Sequence, residues 1–547
     1  MKQLIDAAAG RILCDLVLKN ARIPNPFTGE IIESDVAILG GKIVGLGSYQ
    51  GKAETDLSGK YVLPGLIDTH VHIESSMVCP SEYAKAVLAH GVTTVIADPH
   101  EIANVCGEAG LSFMQEAAKD LPLDMFYMLP SCVPATPFED AGAILDAAAV
   151  RRLLPDFFGL GEMMNYVGVV AGEEDVLKKL NSSIMDGHAP GLSGKELNAY
   201  LCAGIKTDHE CTTVEEMQEK IQKGMYVLLR EGTLSHDLSR LLSGITPHTL
   251  RRCCFCTDDR FIGDIQREGS IDHCIRLAIG QGLSPTDAIT IATLNAAECY
   301  QLPGYGAIAP GYIADLVVSE DLTLQAISQV YKRGELVAEN GKAVFSASAQ
   351  HDTSRVANTV HLPDITENFF DFEPSKCPFP AIRLLSGTIT TRKVMTALPC
   401  AKVCVIERHH GLNKRGFGFV ENYGIQNGAI ASTIGHDSHN VIVIGDNDAD
   451  MALAVRTLGT SGGIAVIGNG HVLSFLPLPI GGLMSDRSMA EVIKAHDSLY
   501  HAAKSLQVNP EIDPFLSLAF LPLPVIPELR VTDRGLFDVT KFDFLSI

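Results

Sequence analysis

The stretch Val62-Leu63-Pro64-Gly65-Leu66-Ile67-Asp68-Thr69-His70-Val71-His72 decides how this chain is read. An apolar run leads into a Pro-Gly turn, and a second apolar run ends in two histidines separated by one residue. Alternate side chains of a strand share a face, so His70 and His72 are expected to project together from one strand end. Two neutral imidazoles on one face suit a divalent transition metal. A chance pair of surface histidines is the bland alternative, and the position directly after a turn and a strand-like run weighs against it.

The same pattern recurs on either side. Apolar runs end at His70, Asp98, Ser131, Glu162, His188, His209, Arg230 and Asp258, at intervals of 21 to 33 residues. Each interval leaves room for a loop, a helix and the next strand, as a right-handed βαβ unit requires. Ser193 to Glu196 and Thr213 to Glu216 read as capping boxes, and Gly224 as a helix stop. Eight such units over residues 63–305 predict an α/β fold of the TIM type, a (β/α)8 barrel. An open doubly wound sheet is the structural competitor. Polar residues at the C-terminal ends of the strands favour the barrel, because barrel active sites are built there. Glu162, His188, His209 and Asp258 stand on those ends with His70 and His72. Any one of them could be a satisfied core or loop residue, but six ligand-type residues in register at one barrel mouth predict a metal site.

The flanks differ. Within residues 1–62, positions from about 13 to 60 alternate apolar and polar between turns, which predicts short antiparallel strands. Residues 306–345 repeat that pattern and are expected to pair with them in a small β domain. Residues 346–380 are polar and carry Pro363, Pro374, Pro378 and Pro380, so they read as a linker. Residues 381–547, rich in β-branched runs and glycine turns, read as a C-terminal α+β domain.

Composition narrows the function. The 547 residues are 46% hydrophobic and 20% charged, as in ordinary globular enzymes, and the length calls for two or three domains. With 43 basic against 65 acidic residues the formal charge is −22. So acidic a surface repels phosphate backbones, which argues against nucleic acid and for a small neutral substrate. Asp6, Arg11 and Asp15 interrupt any apolar N-terminal run, so no signal peptide is expected. The apolar stretch from Phe515 to Pro527 is short and contains Pro522 and Pro524, so no membrane span is expected either. Fourteen cysteines without a paired framework read as reduced thiols of a cytoplasmic protein.

The His70–His72 strand, AHGVTTV at 89–95, SPTDA at 284–288 with TLNA at 293–296, and GYIADLV at 311–317 together resemble the amidohydrolase superfamily. IESSM at 73–77, ADPHEIAN at 97–104, PSCVPAT at 130–136, GEMMN at 161–165, DGHAP at 186–190, HECT at 209–212 and TDRGLF at 532–537 resemble its adenine deaminase family. The resemblance runs along essentially the whole chain. It implies hydrolytic deamination of adenine to hypoxanthine and ammonia, two divalent metal ions (manganese or iron, with zinc also possible) and a homodimer. It further implies that His70 and His72 hold one ion, His188 and His209 the other, that Glu162 bridges them, and that Asp258 completes the shell of the His70–His72 ion. On that pattern a hydroxide attacks C6 of adenine, and Asp258 takes its proton and passes it to the departing amine. Asp98, His100, Glu101 and Glu210 are then the candidates for protonating or hydrogen-bonding the ring.

Several matches carry less. His72 and Glu74 fit the HxE half of the barrel-less zinc deaminase signature, but the PCxxC half is missing. Cys253 and Cys256 form an isolated CxxC in a strand-like run and read as buried thiols. Gly459, Ser461 and Gly463 fit the nucleophile-elbow pattern but read as a turn. Two other functions stay open on sequence: a related N-acetyl-sugar deacetylase, and a non-catalytic metal-binding barrel, against which Asp258 argues.

Overall fold

The structure is a computed structural model and describes residues 1–347, 351–397 and 400–546. After a short helix, Lys2–Ala8, the flanking segments combine into one nine-stranded sheet. In it Tyr61–Pro64 pairs antiparallel with Leu316–Ser319, bringing the two flanks together. The expectation of purely antiparallel pairing needs correction: the eleven-residue strand Cys14–Pro24 pairs antiparallel with Ile31–Leu39 but parallel with Gly51–Asp56. The opening stretch of sequence is therefore divided. Its Val62-Leu63-Pro64 belongs to this sheet, and a new strand begins after Gly65. A Cβ at Gly65 would collide with the Thr93 side chain, so the turn between the two sheets requires glycine here.

Eight parallel strands follow, each ending within two residues of an apolar run's end in the sequence. Five pair side by side: Leu66–Val71, Val92–Ala97, Asp124–Leu129, Gly159–Met163 and Met185–Gly187. Three more do the same: Thr207–Asp208, Tyr226–Arg230 and Cys253–Cys256. The first and last strands meet through backbone bonds, with Asp258 N–H donating to His70 C=O (2.9 Å) and His72 N–H to Asp258 C=O (3.2 Å). At the other seam the Gly187 N–H donates to the Thr207 hydroxyl at 3.0 Å. Ile67, Ile96, Met128, Leu228, Cys254 and Cys256 fill the interior, while Cys253 and Phe255 face the surrounding helices. Burial on both faces explains why these strands read as unbroken apolar runs. All fourteen cysteines are free.

The capping boxes are corrected in part. Thr213 accepts from the Glu216 N–H at 3.3 Å, but Glu216 turns its carboxylate to Gly191, Thr212 and Lys220. Ser193 makes no side-chain cap, and a complete box occurs instead at Ser488 and Glu491.

The C-terminal region holds an eight-stranded sheet whose edge strands are Thr391–Thr396 and His471–Pro477. Helix Asp448–Leu458 packs on one face, and Met489–Ser505 packs beside its last two strands. Residues 348–350 of the expected linker lie outside the described residues. The rest of it has little regular structure yet is anchored, since Val360, Ile365, Phe369 and Phe370 are buried against that sheet and the first of these helices. Polar spacing and prolines concealed this apolar subset. The C-terminal region also lies against the parallel strands' loops: Ser485 N–H donates to Met77 C=O (2.9 Å) and Asn440 Nδ2 to Asp140 C=O (2.7 Å). Among the described residues, no helix is long and apolar enough to cross a membrane.

Candidate metal centre

Strand alternation does what the sequence requires of it. His70 and His72 are both buried on one face, with their Nε2 atoms 3.2 Å apart. The His72 Nδ1–H donates to the Asp98 carbonyl at 2.8 Å, which leaves its Nε2 lone pair facing inward. The Glu162 carboxylate lies between two pairs of histidines. Its Oε1 is 3.4 Å from His72 Nε2 and 3.8 Å from His70 Nε2, and its Oε2 is 2.8 Å from His188 Nδ1 and 3.4 Å from His209 Nε2. Asp258 Oδ1 approaches His72 Nε2 at 3.1 Å and His70 Nε2 at 3.8 Å. All six predicted ligand residues thus meet at one place.

The donor set fits divalent cations. Nitrogen and carboxylate lone pairs gather within 4.8 Å of one another in groups such as His70-His72-Glu162 and Glu162-His188-His209. Such an inward-facing, buried set repels itself unless cations or protons sit among it. Nothing in the set is a thiolate, so it does not single out zinc.

The remaining predicted residues divide by position. Asp98 lies behind Glu162 and accepts its backbone N–H at 2.9 Å. The preceding residue is glycine for a physical reason, since a Cβ on Gly161 would strike the Asp98 carboxylate. His100 bridges inward and outward, with Nδ1 3.3 Å from Glu162 Oε1 and Nε2 3.3 Å from Glu101 Oε1. Glu210 stands beside His209, its Oε1 3.4 Å from that ring, and is paired with Arg230. Burial opposes its charge, but the guanidinium holds its pKa below the ordinary value.

Sequence reasoning missed Arg230 as a site residue, though it stands at a strand end. It is buried and forks to Glu210, Asp258 and Asp237, donating to Asp258 Oδ2 at 2.8 Å. Burial works against an ionised Asp258, but His72 and Arg230 keep its pKa well below the ordinary range. Asp258 itself has a left-handed backbone (φ 55°), which turns the chain at the strand end. Two cavities border the cluster. One, of about 590 Å³, is lined by Glu74, Glu101, Asp259, His436 and Phe520. The other, of about 710 Å³, is lined by His188, Glu210, Arg230, Phe138 and Ile526.

The decoys resolve as expected. The Ser461 hydroxyl donates to the carbonyls of Leu458 and Gly462 in a turn after a helix. Glu74 accepts the Ile102 N–H at 3.2 Å.

Residues 61–344 match the amidohydrolase family, and residues 388–543 match the adenine deaminase C-terminal domain. The adenine deaminase of Nitratidesulfovibrio vulgaris (strain DP4) is 49% identical, over 100% of this chain and 99% of that protein. That of Clostridium acetobutylicum is 48% identical over 100% of both chains. Among solved structures, a β-aspartyl dipeptidase from Fervidobacterium islandicum AW-1 aligns with a TM-score of 0.43 and 17% identity, over 60% of this chain and 98% of that one. The chain belongs to the amidohydrolase family and, within it, to the adenine deaminases.

Proposed function

We propose that this chain hydrolyses adenine to hypoxanthine and ammonia, serving purine salvage or adenine catabolism. The observation that carries the reading is Glu162, one carboxylate with each oxygen facing a separate pair of histidines. In this reading His70, His72 and Asp258 would hold one ion and His188 and His209 the other, with Glu162 available to both. Mn²⁺ or Fe²⁺ is the proposed occupant, with Zn²⁺ also compatible with the ligands. When bound, the ions supply a water acidified toward neutrality and positive charge beside the reacting carbon.

The chain's own residues do the rest. Asp258 accepts a proton through Oδ1 while Arg230 fixes Oδ2, so the carboxylate keeps one orientation through the transfer. The same proton is then returned to the departing amine. Glu101 and Glu210, which border the cluster from different cavities, are the proposed hydrogen-bonding groups for the ring. Asp98 orients Glu162 through its backbone, and His100 links Glu162 to Glu101.

The proposal also takes the eight parallel strands as one closed (β/α)8 barrel over residues 63–305. The small β domain is then 1–62 with 306–345, followed by the linker 346–380 and the C-terminal domain 381–547. Backbone bonds between His70, His72 and Asp258 support the closure. A homodimer and a cytoplasmic setting belong to the same reading; the fourteen free thiols favour the latter. Hypoxanthine and ammonia formation by metal-loaded protein, with light scattering for the mass, tests the proposal.

A further inference from the structure

The loop Gly435 to Asn440 of the C-terminal region reaches the carboxylate of Glu101. His436 Nδ1 lies 2.7 Å from Glu101 Oε1, and His439 Nε2 meets Oε2. The same Oε1 is 3.3 Å from His100 Nε2, and His100 Nδ1 is 3.3 Å from Glu162 Oε1. A continuous chain of polar contacts therefore runs from the C-terminal region to the centre of the ligand cluster. All these side chains are buried, so each contact acts with little solvent screening. The His436 ring is held in place by Phe520, stacked at 4.3 Å and 5° between planes, and by its backbone N–H donating to Ala519 C=O at 2.9 Å. His436 and Phe520 both line the smaller cavity.

Glu101, His436 and His439 could be taken for a further metal site. The tautomer of His439 argues otherwise. The Gly435 N–H donates to His439 Nδ1 at 3.2 Å, so Nδ1 is the acceptor and the ring proton sits on Nε2, facing Glu101. That nitrogen has no lone pair for a cation. Burial lowers the His439 pKa to about 4, so this ring stays neutral. Burial also opposes charge on His436, but Glu101 outweighs it and raises the pKa to about 9. Glu101 is thus an anion within ion-pair reach of a charged His436 ring, with the neutral His439 ring against its other oxygen.

We infer that His436 is a positioning residue for the deamination, clamping the Glu101 carboxylate against His100 so that the C-terminal domain completes the active centre. The inference rests on the proposed adenine reaction and adds a residue to it from the far end of the chain. It gives the C-terminal domain a part in turnover that the ligand set alone does not.

The test uses the full-length, metal-loaded enzyme. His436→Phe keeps a ring against Phe520 but removes the donor, whereas His436→Asn restores a donor near the Nδ1 position. His436→Phe should lower kcat for adenine about tenfold or more, the scale of losing a hydrogen bond to a charged group, with metal per chain unchanged. His436→Asn should recover most of that loss. In a Glu101→Gln background, His436→Phe should add little, because both changes act through one carboxylate. Should His436→Phe fail to fold, His436→Ala replaces it in the same cycle. Independent, multiplicative losses in the double variant, no recovery with Asn, or loss of metal in step with activity would overturn the inference. Wild-type enzyme inactive on adenine would instead overturn the underlying function, and the inference with it.

Discussion

Arg230 donates to Asp258 Oδ2 at 2.8 Å while the other oxygen of that carboxylate, Oδ1, faces His72 Nε2 at 3.1 Å. The pairing divides one carboxylate into a fixed side and a reactive side. Arg230→Lys keeps the charge but loses the planar fork shared with Glu210 and Asp237. Turnover should fall about 10- to 100-fold with metal retained, the effect of losing hydrogen bonds between charged groups. Arg230→Ala should also destabilise the fold by about 3–5 kcal/mol, because buried carboxylates are left unpaired. Steady-state kinetics with metal analysis, and denaturant midpoints, check both statements.

Asp258→Asn separates proton transfer from metal binding. The amide keeps an oxygen for the ion but turns an N–H2 toward the Arg230 donor, and it cannot take the proton. We expect metal content close to wild type with a kcat about 10²-fold lower or worse. Near-normal turnover would move the proton-transfer role to Glu210 or His100.

His70→Ala and His188→Ala test the two halves of the cluster around Glu162. Metal analysis after dialysis should show each variant below the wild-type stoichiometry of about two ions per chain. Chelation of the wild type should abolish activity, and manganese, iron or zinc should restore it. Wild-type turnover in demonstrably metal-free protein would contradict the assignment.

Much of this centre is legible in the sequence because strand geometry is local. Alternation brings His70 and His72 together, and the regular recurrence of apolar runs puts Glu162, His188, His209 and Asp258 at neighbouring strand ends. Partnerships made across the fold leave weaker traces. Arg230 stands at an expected strand end, yet nothing nearby reveals that it joins Asp258 and Glu210. His436 and His439 are separated from Glu101 by more than 300 residues and reach it only by domain packing. Their signal was the HDSH sequence at 436–439, two histidines and an acid between strand-like runs. Within the stretch read as a linker, the prolines hide that Val360, Phe369 and Phe370 bury against a sheet formed later in the chain.

His496 makes stability depend on pH. Its ring packs on Phe261 at 3.9 Å, and burial lowers its pKa from 6.5 to about 3, with Arg267 adding to the effect. The unfolded chain binds a proton near pH 6.5 that the folded chain refuses, so this contribution is full above pH 6.5 and is lost as pH falls toward 3. Between pH 7.5 and pH 5 the loss should reach roughly 2 kcal/mol. His496→Phe should lose less stability over that interval than wild type in urea titrations, and the difference isolates this residue from acid release of metal. Equal losses in both proteins would contradict the assignment.

The most direct measurement is ammonia release, with hypoxanthine identified as product, from adenine, adenosine, AMP, cytosine, guanine and an N-acetylated sugar at equal concentration. Manganese-loaded wild-type protein is the sample. A site whose buried polar groups match one purine edge rejects analogues that leave those groups unpaired. The account predicts that adenine is turned over far faster than every other compound and yields hypoxanthine stoichiometric with ammonia. Faster turnover of adenosine or of the N-acetylated sugar, or no hypoxanthine from adenine, would contradict it.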